Sequence, residues 1–153
     1  MGAAFCVPDS WDEATREAAM HKLAAMGLPA ALARDAAALH ASGADDAARA
    51  AWALARAQAA GYVPDPAACE WYQSPDVTAA HGGDCDDLCI LLVALARALD
   101  LPCRIVRLPQ PGAAEDHVLC TVWARGAWRW AEPSIAGARL GEHPADALRR
   151  LNR

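Results

Sequence analysis

Apolar residues recur every three or four positions through the first part of the chain, which is the period of an α-helix. Three Ala-rich helices are predicted between residues 10 and 61. Ser10 is the expected N-cap of the first, Glu13 occupies its capping-box position, and a glycine follows the end of each helix, at Gly27, Gly43 and Gly61.

The most apolar helix is predicted over residues 85–99. Asp84 suits its N-cap, and Asp87 stands where a capping box places an acid. Cys85 then becomes the first helical residue, at the positive end of the helix. Most of the remaining positions are apolar, so this helix should be buried, with a stripe formed by Leu88, Leu91, Leu92, Leu95 and Leu99.

Beyond this helix the apolar period changes to two, which predicts strands over residues 103–108, 116–124 and 127–133. A two-residue turn at Arg125–Gly126 pairs Ala124 with Ala127 and sets Glu132 opposite Leu119. A closing helix is predicted over residues 145–151. Because helices precede the strands, the expected class is α+β, with the Cys-bearing helix packed on an antiparallel sheet.

Residues 61–83 contain three prolines and end in two glycines, and we predict a loop or irregular segment there. Long connections of this kind are often functional. The glycines, Gly82 and Gly83, come directly before Asp84 and allow close approach of another backbone or of a substrate.

The chain has 153 residues and a formal net charge of -5, which fits one folded domain without the basic face of a nucleic-acid binder. The N-terminus lacks a basic segment followed by an apolar one, and no apolar run is long enough to span a bilayer, so a cytoplasmic protein is expected. In that reducing compartment the six cysteines should mostly be buried thiols.

Three roles compete for Cys85: a structural thiol, a metal ligand and a nucleophile. The helix N-terminus favours its thiolate, whereas the acids around it, Asp84, Asp86 and Asp87, oppose a further negative charge. A nucleophile here would therefore need a cationic partner. His117 begins a predicted strand and offers a rigid position for one.

Glu132 is expected on the face of the hairpin that also carries His117, as its diagonal cross-strand neighbour. Its carboxylate could then reach the imidazole and fix the tautomer of His117. A zinc site built from Cys85, Cys89, Cys103 and Cys120 is disfavoured by the C-x3-C spacing on a helix. Calcium held by the acids beside Cys85 is disfavoured because no segment has EF-hand spacing. No metal and no cofactor are therefore expected.

The segments GGDCDDLCILLVALARALDLPCRIVRL and DHVLCTVWARGAWRWAEPS resemble the transglutaminase-like superfamily of papain-fold cysteine enzymes. The lead-in, GYVPDPAACEWYQSPDVTAAHGGDCDD, is similar to bacterial and prophage members, and the resemblance covers about residues 60–135. It implies a papain-like fold in which Cys85 is the nucleophile, His117 the base and Glu132 the orienting acid. The family usually has Asp at this last position.

The resemblance also implies acyl transfer from an amide through a thioester, with hydrolysis by a cysteine peptidase or amidase as the expected outcome and transfer to an amine as the other. The expected partner is a peptide or protein amide, not a nucleic acid or a membrane. Gln73 or Trp71 is expected to add an oxyanion donor to the backbone N–H of Cys85. The rival hypothesis is a catalytically silent module for binding or phage assembly.

One domain is predicted over residues 1–153. It divides into a helical part (1–60), a catalytic core (61–135) and a C-terminal tail (136–153). The sequence leaves the oligomeric state and the substrate open.

Overall fold

A computed structural model describes residues 2–66, 68–113 and 116–153. Helices and strands both occur within these ranges, and the mixed α+β class is confirmed. Along the chain the elements are β1 (Ala4–Cys6), α1 (Glu13–Ala24), α2 (Ala30–Ala41), α3 (Asp46–Ala60), β2 (Trp71–Gln73), α4 (Pro75–His81), α5 (Cys85–Ala98), β3 (Cys103–Leu108), β4 (His117–Ala124), β5 (Ala127–Ala131) and α6 (Pro144–Leu151).

Helix α5 is the centre of the fold. Every residue from Asp86 to Ala96 is buried, as the apolar pattern predicted. Helices α1 to α4 pack around it, and the strands β3 and β4 cover another side. A helix enclosed on this many sides holds its first residue, Cys85, in a fixed position relative to β4.

Strands β3, β4 and β5 form an antiparallel sheet with β4 in the middle. The predicted hairpin register is confirmed, because Ala124 pairs with Ala127 and Cys120 pairs with Ala131. Arg125 and Gly126 both have positive φ, at 52° and 71°. Two such residues form the two-residue turn whose twist matches that of paired strands.

The first helix begins later than predicted. Asp12, and not Ser10, is its N-cap, and the Asp12 carboxylate accepts a hydrogen bond from the Thr15 backbone N–H at 2.8 Å. Both residues suit a cap by type. Asp12 lies directly before the first residue with helical geometry, and a sequence pattern does not fix that boundary to within two residues.

The prediction of a structureless segment over residues 61–83 is wrong. Strand β2 and helix α4 lie within it, and β2 pairs with β1 in a separate two-stranded antiparallel sheet. The two strands have three residues each, too few for a recognisable alternation. Pro75 at the start of α4 is the local signal that was available, because proline is favoured in the first turn of a helix.

The expectation of free thiols is wrong for one pair of cysteines. Cys6 and Cys69 form a disulfide, with their Cα atoms 5.8 Å apart. Pairing of β1 with β2 sets Cys6 opposite Trp71, and the Val7 N–H donates to the Glu70 carbonyl, so residues remote in sequence become neighbours. Cys89 and Cys120 are buried free thiols, as expected.

None of the helices in the described ranges is both long enough and apolar enough to cross a membrane.

Candidate active site

Cys85 is the first residue of α5, and a reciprocal cap fixes it there. The Asp84 carboxylate accepts from the backbone N–H of Asp86 at 3.0 Å and of Asp87 at 3.3 Å. The Asp87 carboxyl group in turn hydrogen-bonds the Asp84 backbone. The predicted capping box is therefore present. The Cys85 side chain, at the positive end of the helix, is half-buried.

The glycines before this cap occupy positions that have no room for a side chain. A Cβ on Gly82 would lie 2.7 Å from the Gly61 carbonyl oxygen, and one on Gly83 would lie 2.4 Å from the Asp87 Cβ. Gly82 also has a φ of +76°, which favours glycine. The expected close backbone approach is thus confirmed, and it packs the segment that follows α3 against the start of α5.

His117 and Glu132 are in direct contact. The Nε2 atom of His117 lies 2.5 Å from Oε2 of Glu132. Glu132, one residue beyond β5, is fully buried, and the His117 side chain is 17% exposed to solvent. The other Glu132 oxygen accepts from the backbone N–H and the hydroxyl of Ser134, at 2.8 and 2.6 Å. Three partners satisfy this buried carboxylate.

The Cys85 sulfur adjoins the strand that carries His117. It hydrogen-bonds the backbone of Val118, the next residue of β4. With Nε2 of His117 held by Glu132, Nδ1 is the ring nitrogen left to exchange a proton. The fold therefore brings the segments carrying all three predicted residues together, whereas their chemical roles stay predictions.

Gln58 of α3 supports Glu132 and was not identified from the sequence. Its Nε2 atom donates to the carbonyl oxygens of Glu132 at 3.1 Å, Ile135 at 3.1 Å and Ala138 at 2.9 Å. The amide thus ties the segment after β5 to a core helix. The available signal was an uncharged amide in an Ala-rich helix, next to the buried Ala57.

The electrostatic surroundings oppose a resting thiolate. Burial raises the pKa of the Cys85 thiol, and Asp86 and Asp84 raise it further. Burial, followed by Asp87 and Asp65, also raises the pKa of Asp84 to about 8. The acids and the loss of water outweigh the helix N-terminus here, because a second negative charge in a buried acidic cluster is costly.

The two residues expected to donate to an oxyanion lie on β2. The Gln73 side-chain nitrogen donates to the Asp87 carboxylate at 2.5 Å and approaches the Gly82 carbonyl at 3.5 Å. The Trp71 backbone N–H donates to the Asp65 carboxylate, and the Trp71 side chain is half-buried. Their role as oxyanion donors stays a prediction.

Two groups of described side chains come close enough to share a cation. They are Asp84, Cys85 and Asp86, and Asp65, Glu70 and Asp84, with the ligand atoms of each group within 4.8 Å of one another. Neither group combines Cys85 with the other cysteines that a zinc site would need.

The family model of the transglutaminase-like superfamily matches residues 30–133, more than half of the chain. This protein therefore belongs to the transglutaminase-like superfamily, which covers cysteine-dependent acyl transfer and whose members are commonly enzymes. Comparison with curated proteins and with solved structures gives no significant match.

Proposed function

We propose that this protein transfers the acyl group of an amide through a thioester on Cys85, with His117 as the base and Glu132 as the residue that orients it. The single observation that carries the proposal is the 2.5 Å contact between His117 Nε2 and Glu132 Oε2. A fully buried carboxylate that holds one ring nitrogen fixes the imidazole's tautomer and orientation.

In the proposed reaction the Cys85 sulfur attacks the amide carbonyl carbon while its proton passes to His117 Nδ1. The C–N bond then breaks, and the leaving amine takes the proton from His117, which leaves a thioester on Cys85. Water next gives a proton to His117 and attacks the carbonyl carbon, and the C–S bond breaks as the thiol is restored. The Cys85 backbone N–H would stabilise the oxyanion.

The surroundings of Cys85 suggest how the proton is moved. Burial and two neighbouring acids keep the resting thiol protonated. We infer that His117 removes the proton as the sulfur attacks, rather than from a thiolate that already exists. Glu132 would offset the charge that the imidazole gains at that moment.

Hydrolysis is the outcome we favour over transfer to an amine. Cys85 is half-buried, and its sulfur lies within 4.8 Å of the carboxyl group of Asp84, which borders an open cleft of about 510 Å³ together with Tyr62. We infer that water enters this cleft and reaches the thioester from there. The protein would then act as a cysteine peptidase or amidase and not as a protein-glutamine acyltransferase.

A catalytically silent module for binding or for phage assembly is the second candidate. The observation that favours it is the raised pKa of Cys85, together with the longer Glu132 side chain where the superfamily usually has Asp. A bacterial or prophage origin stays a prediction. So does the cytoplasmic location, and the Cys6–Cys69 disulfide argues against a reducing compartment.

An activated ester separates the two candidates. An enzyme incubated with p-nitrophenyl acetate should release p-nitrophenol and gain one acetyl group at Cys85, which peptide mass spectrometry would locate. Cys85→Ser should lose the thioester, and Cys103→Ser, at another half-buried thiol, serves as the matched control. Acetylation of Cys85 no faster than that of Cys103 supports the silent module.

A further inference from the structure

The cleft beside Cys85 is strongly acidic. Its volume is about 510 Å³, and its lining includes four carboxyl groups and one guanidinium. The carboxyl oxygens of Asp65, Glu70 and Asp84 lie within 4.8 Å of one another. These charged residues come from four separate stretches of the chain and are Asp9, Arg16, Asp65, Glu70 and Asp84.

Asp86 lies behind the cleft lining, next to Asp84, and provides a second and independent observation. Its side chain is 96% buried, since only 4% of the residue is exposed, and its Oδ1 atom has no hydrogen-bond partner among the described residues. A carboxyl oxygen of Asp86 lies within 4.8 Å of both the Asp84 carboxylate and the Cys85 sulfur, and Asp86 also hydrogen-bonds Glu70. Buried acceptors without a donor are costly. Arg107 attracts the Asp86 carboxyl group, but burial outweighs that attraction and raises its pKa, so a further positive charge nearby would stabilise it.

Tyr62 adds an aromatic surface to the acidic cleft. It lines the cleft, and the residue is 55% exposed. Burial, followed by the neighbouring Cys85 and Asp84, raises its pKa, so the phenol lies close to both groups. Carboxylates combined with an exposed aromatic ring bind ammonium and guanidinium groups, through ion pairs and through attraction of the cation to the ring.

We propose that this cleft binds a positively charged group of the substrate, an ammonium or a guanidinium, next to the acyl carbon that Cys85 attacks. The substrate class is then a basic peptide or another amide that carries an amine. This inference rests on the proposed role of Cys85 as the nucleophile. The cleft is far larger than one metal ion, which favours an organic cation.

A bound cation would also help the chemistry. Asp84 and Asp86 both raise the pKa of the Cys85 thiol, and a positive charge among Asp65, Glu70 and Asp84 would offset their field. Loss of the thiol proton would then be easier with a cationic substrate in place than in the empty site.

Alkylating agents of different charge test the proposal without knowledge of the substrate. The rate of Cys85 modification by 2-bromoethylamine, iodoacetamide and iodoacetate would be measured by peptide mass spectrometry. Each rate would be divided by the rate of the same reagent with 2-mercaptoethanol, which corrects for its intrinsic reactivity. We expect the cationic reagent to be favoured over the anionic one by about tenfold or more, with the preference falling at high salt.

Variants assign the preference to the cleft. Asp65→Asn combined with Glu70→Gln should remove most of it, and Asp9→Asn at the exposed side should reduce it while leaving the fold intact. Asp35→Asn, an exposed acid of α2 outside the cleft lining, is the control and should keep it. Equal normalised rates for all three reagents in the wild type would overturn the proposal.

Two other outcomes are informative. A rise in melting temperature with Ca²⁺ that is lost in Asp65→Asn would assign the acids to a metal and overturn the organic-cation proposal. The failure of the proposed function looks different, because His117→Ala would then leave the iodoacetamide rate at Cys85 unchanged. Charge preference and His117 dependence are therefore measured separately.

Discussion

His117 Nε2 lies 2.5 Å from Oε2 of Glu132, and the carboxylate that makes this contact is fully buried. The Ser134 backbone and hydroxyl hold the other oxygen. The imidazole therefore has a fixed partner at Nε2, and Nδ1 is the ring nitrogen left to exchange a proton. We therefore predict that Glu132 can take the role that the family resemblance gives to Asp, since the longer side chain is anchored at both oxygens.

Glu132→Gln should reduce acetylation of Cys85 by p-nitrophenyl acetate by about 100-fold or more, because a neutral amide does not stabilise the imidazolium or fix its tautomer. Glu132→Asp should retain more activity, since it keeps the charge but shortens the reach. The measurement is the rate of p-nitrophenol release. A Gln variant with the wild-type rate and an unchanged melting temperature would show that the carboxylate is only structural.

Gln58→Leu should affect both stability and activity. The substitution removes the amide that donates to the carbonyl groups of Glu132, Ile135 and Ala138, and we expect a loss of about 1–3 kcal/mol in the free energy of unfolding. If Gln58 also positions Glu132, the midpoint of the pH–rate profile should shift. Gln110→Leu, at an exposed position after β3, is the control.

A Gln58→Leu protein that is less stable but keeps the wild-type pH–rate profile would limit Gln58 to a structural role. Measurement below the melting transition keeps the two effects apart, because a purely structural loss then leaves the profile of the folded fraction unchanged.

The contribution of Asp84 to stability should fall as the pH rises from about 4 to about 8. Burial and acidic neighbours raise the pKa of Asp84 from 3.8 to about 8, so the folded state binds a proton that the unfolded state releases across this range. Asp84→Asn keeps a capping oxygen and does not ionise. We expect the variant to be more stable than the wild type at pH 8 by at least about 1.4 kcal/mol, the value of one pKa unit.

The difference between Asp84→Asn and the wild type should shrink near pH 4, where both side chains are neutral. Denaturant titrations at the two pH values measure it. Asp45→Asn, at the exposed N-cap of α3, tests capping alone. If the stability difference between Asp84→Asn and the wild type is the same at pH 8 and at pH 4, the account of this acid is contradicted.

Reduction of the Cys6–Cys69 disulfide should destabilise the fold. The bond joins cysteines 63 positions apart. Closing a loop of this length lowers the entropy of the unfolded chain, which stabilises the folded state by about 2–4 kcal/mol. Cys6→Ser combined with Cys69→Ser should lower the melting temperature, and dithiothreitol should lower that of the wild type equally. A double variant as stable as the oxidised wild type would show that the bond contributes nothing.

The parts of the site that local patterns determine were predictable. The leucine spacing and the Asp84 cap defined α5 and placed Cys85 at its first residue. The Arg125–Gly126 turn defined the register that brings Glu132 towards His117. In each case a few neighbouring residues determine the geometry through capping, alternation or turn conformation.

The remainder depends on contacts between distant residues. Pairing of β1 with β2 brings Cys6 to Cys69, and neither three-residue strand has a pattern of its own. Gln58 meets the carbonyl groups after β5 only once α3 has packed beside the sheet. The raised pKa of Cys85 follows from burial by the whole fold, whereas the sequence showed only the adjacent acids.

The most direct test of the Cys85–His117–Glu132 account is the rate of Cys85 alkylation by iodoacetamide at pH 7 in the wild type and in His117→Ala, with Cys103 of the same chain as the internal reference. If His117 takes the thiol proton, Cys85 of the variant should react at least about tenfold more slowly than Cys85 of the wild type, while the rate at Cys103 is unchanged. Equal Cys85 rates in the two folded proteins would contradict the account.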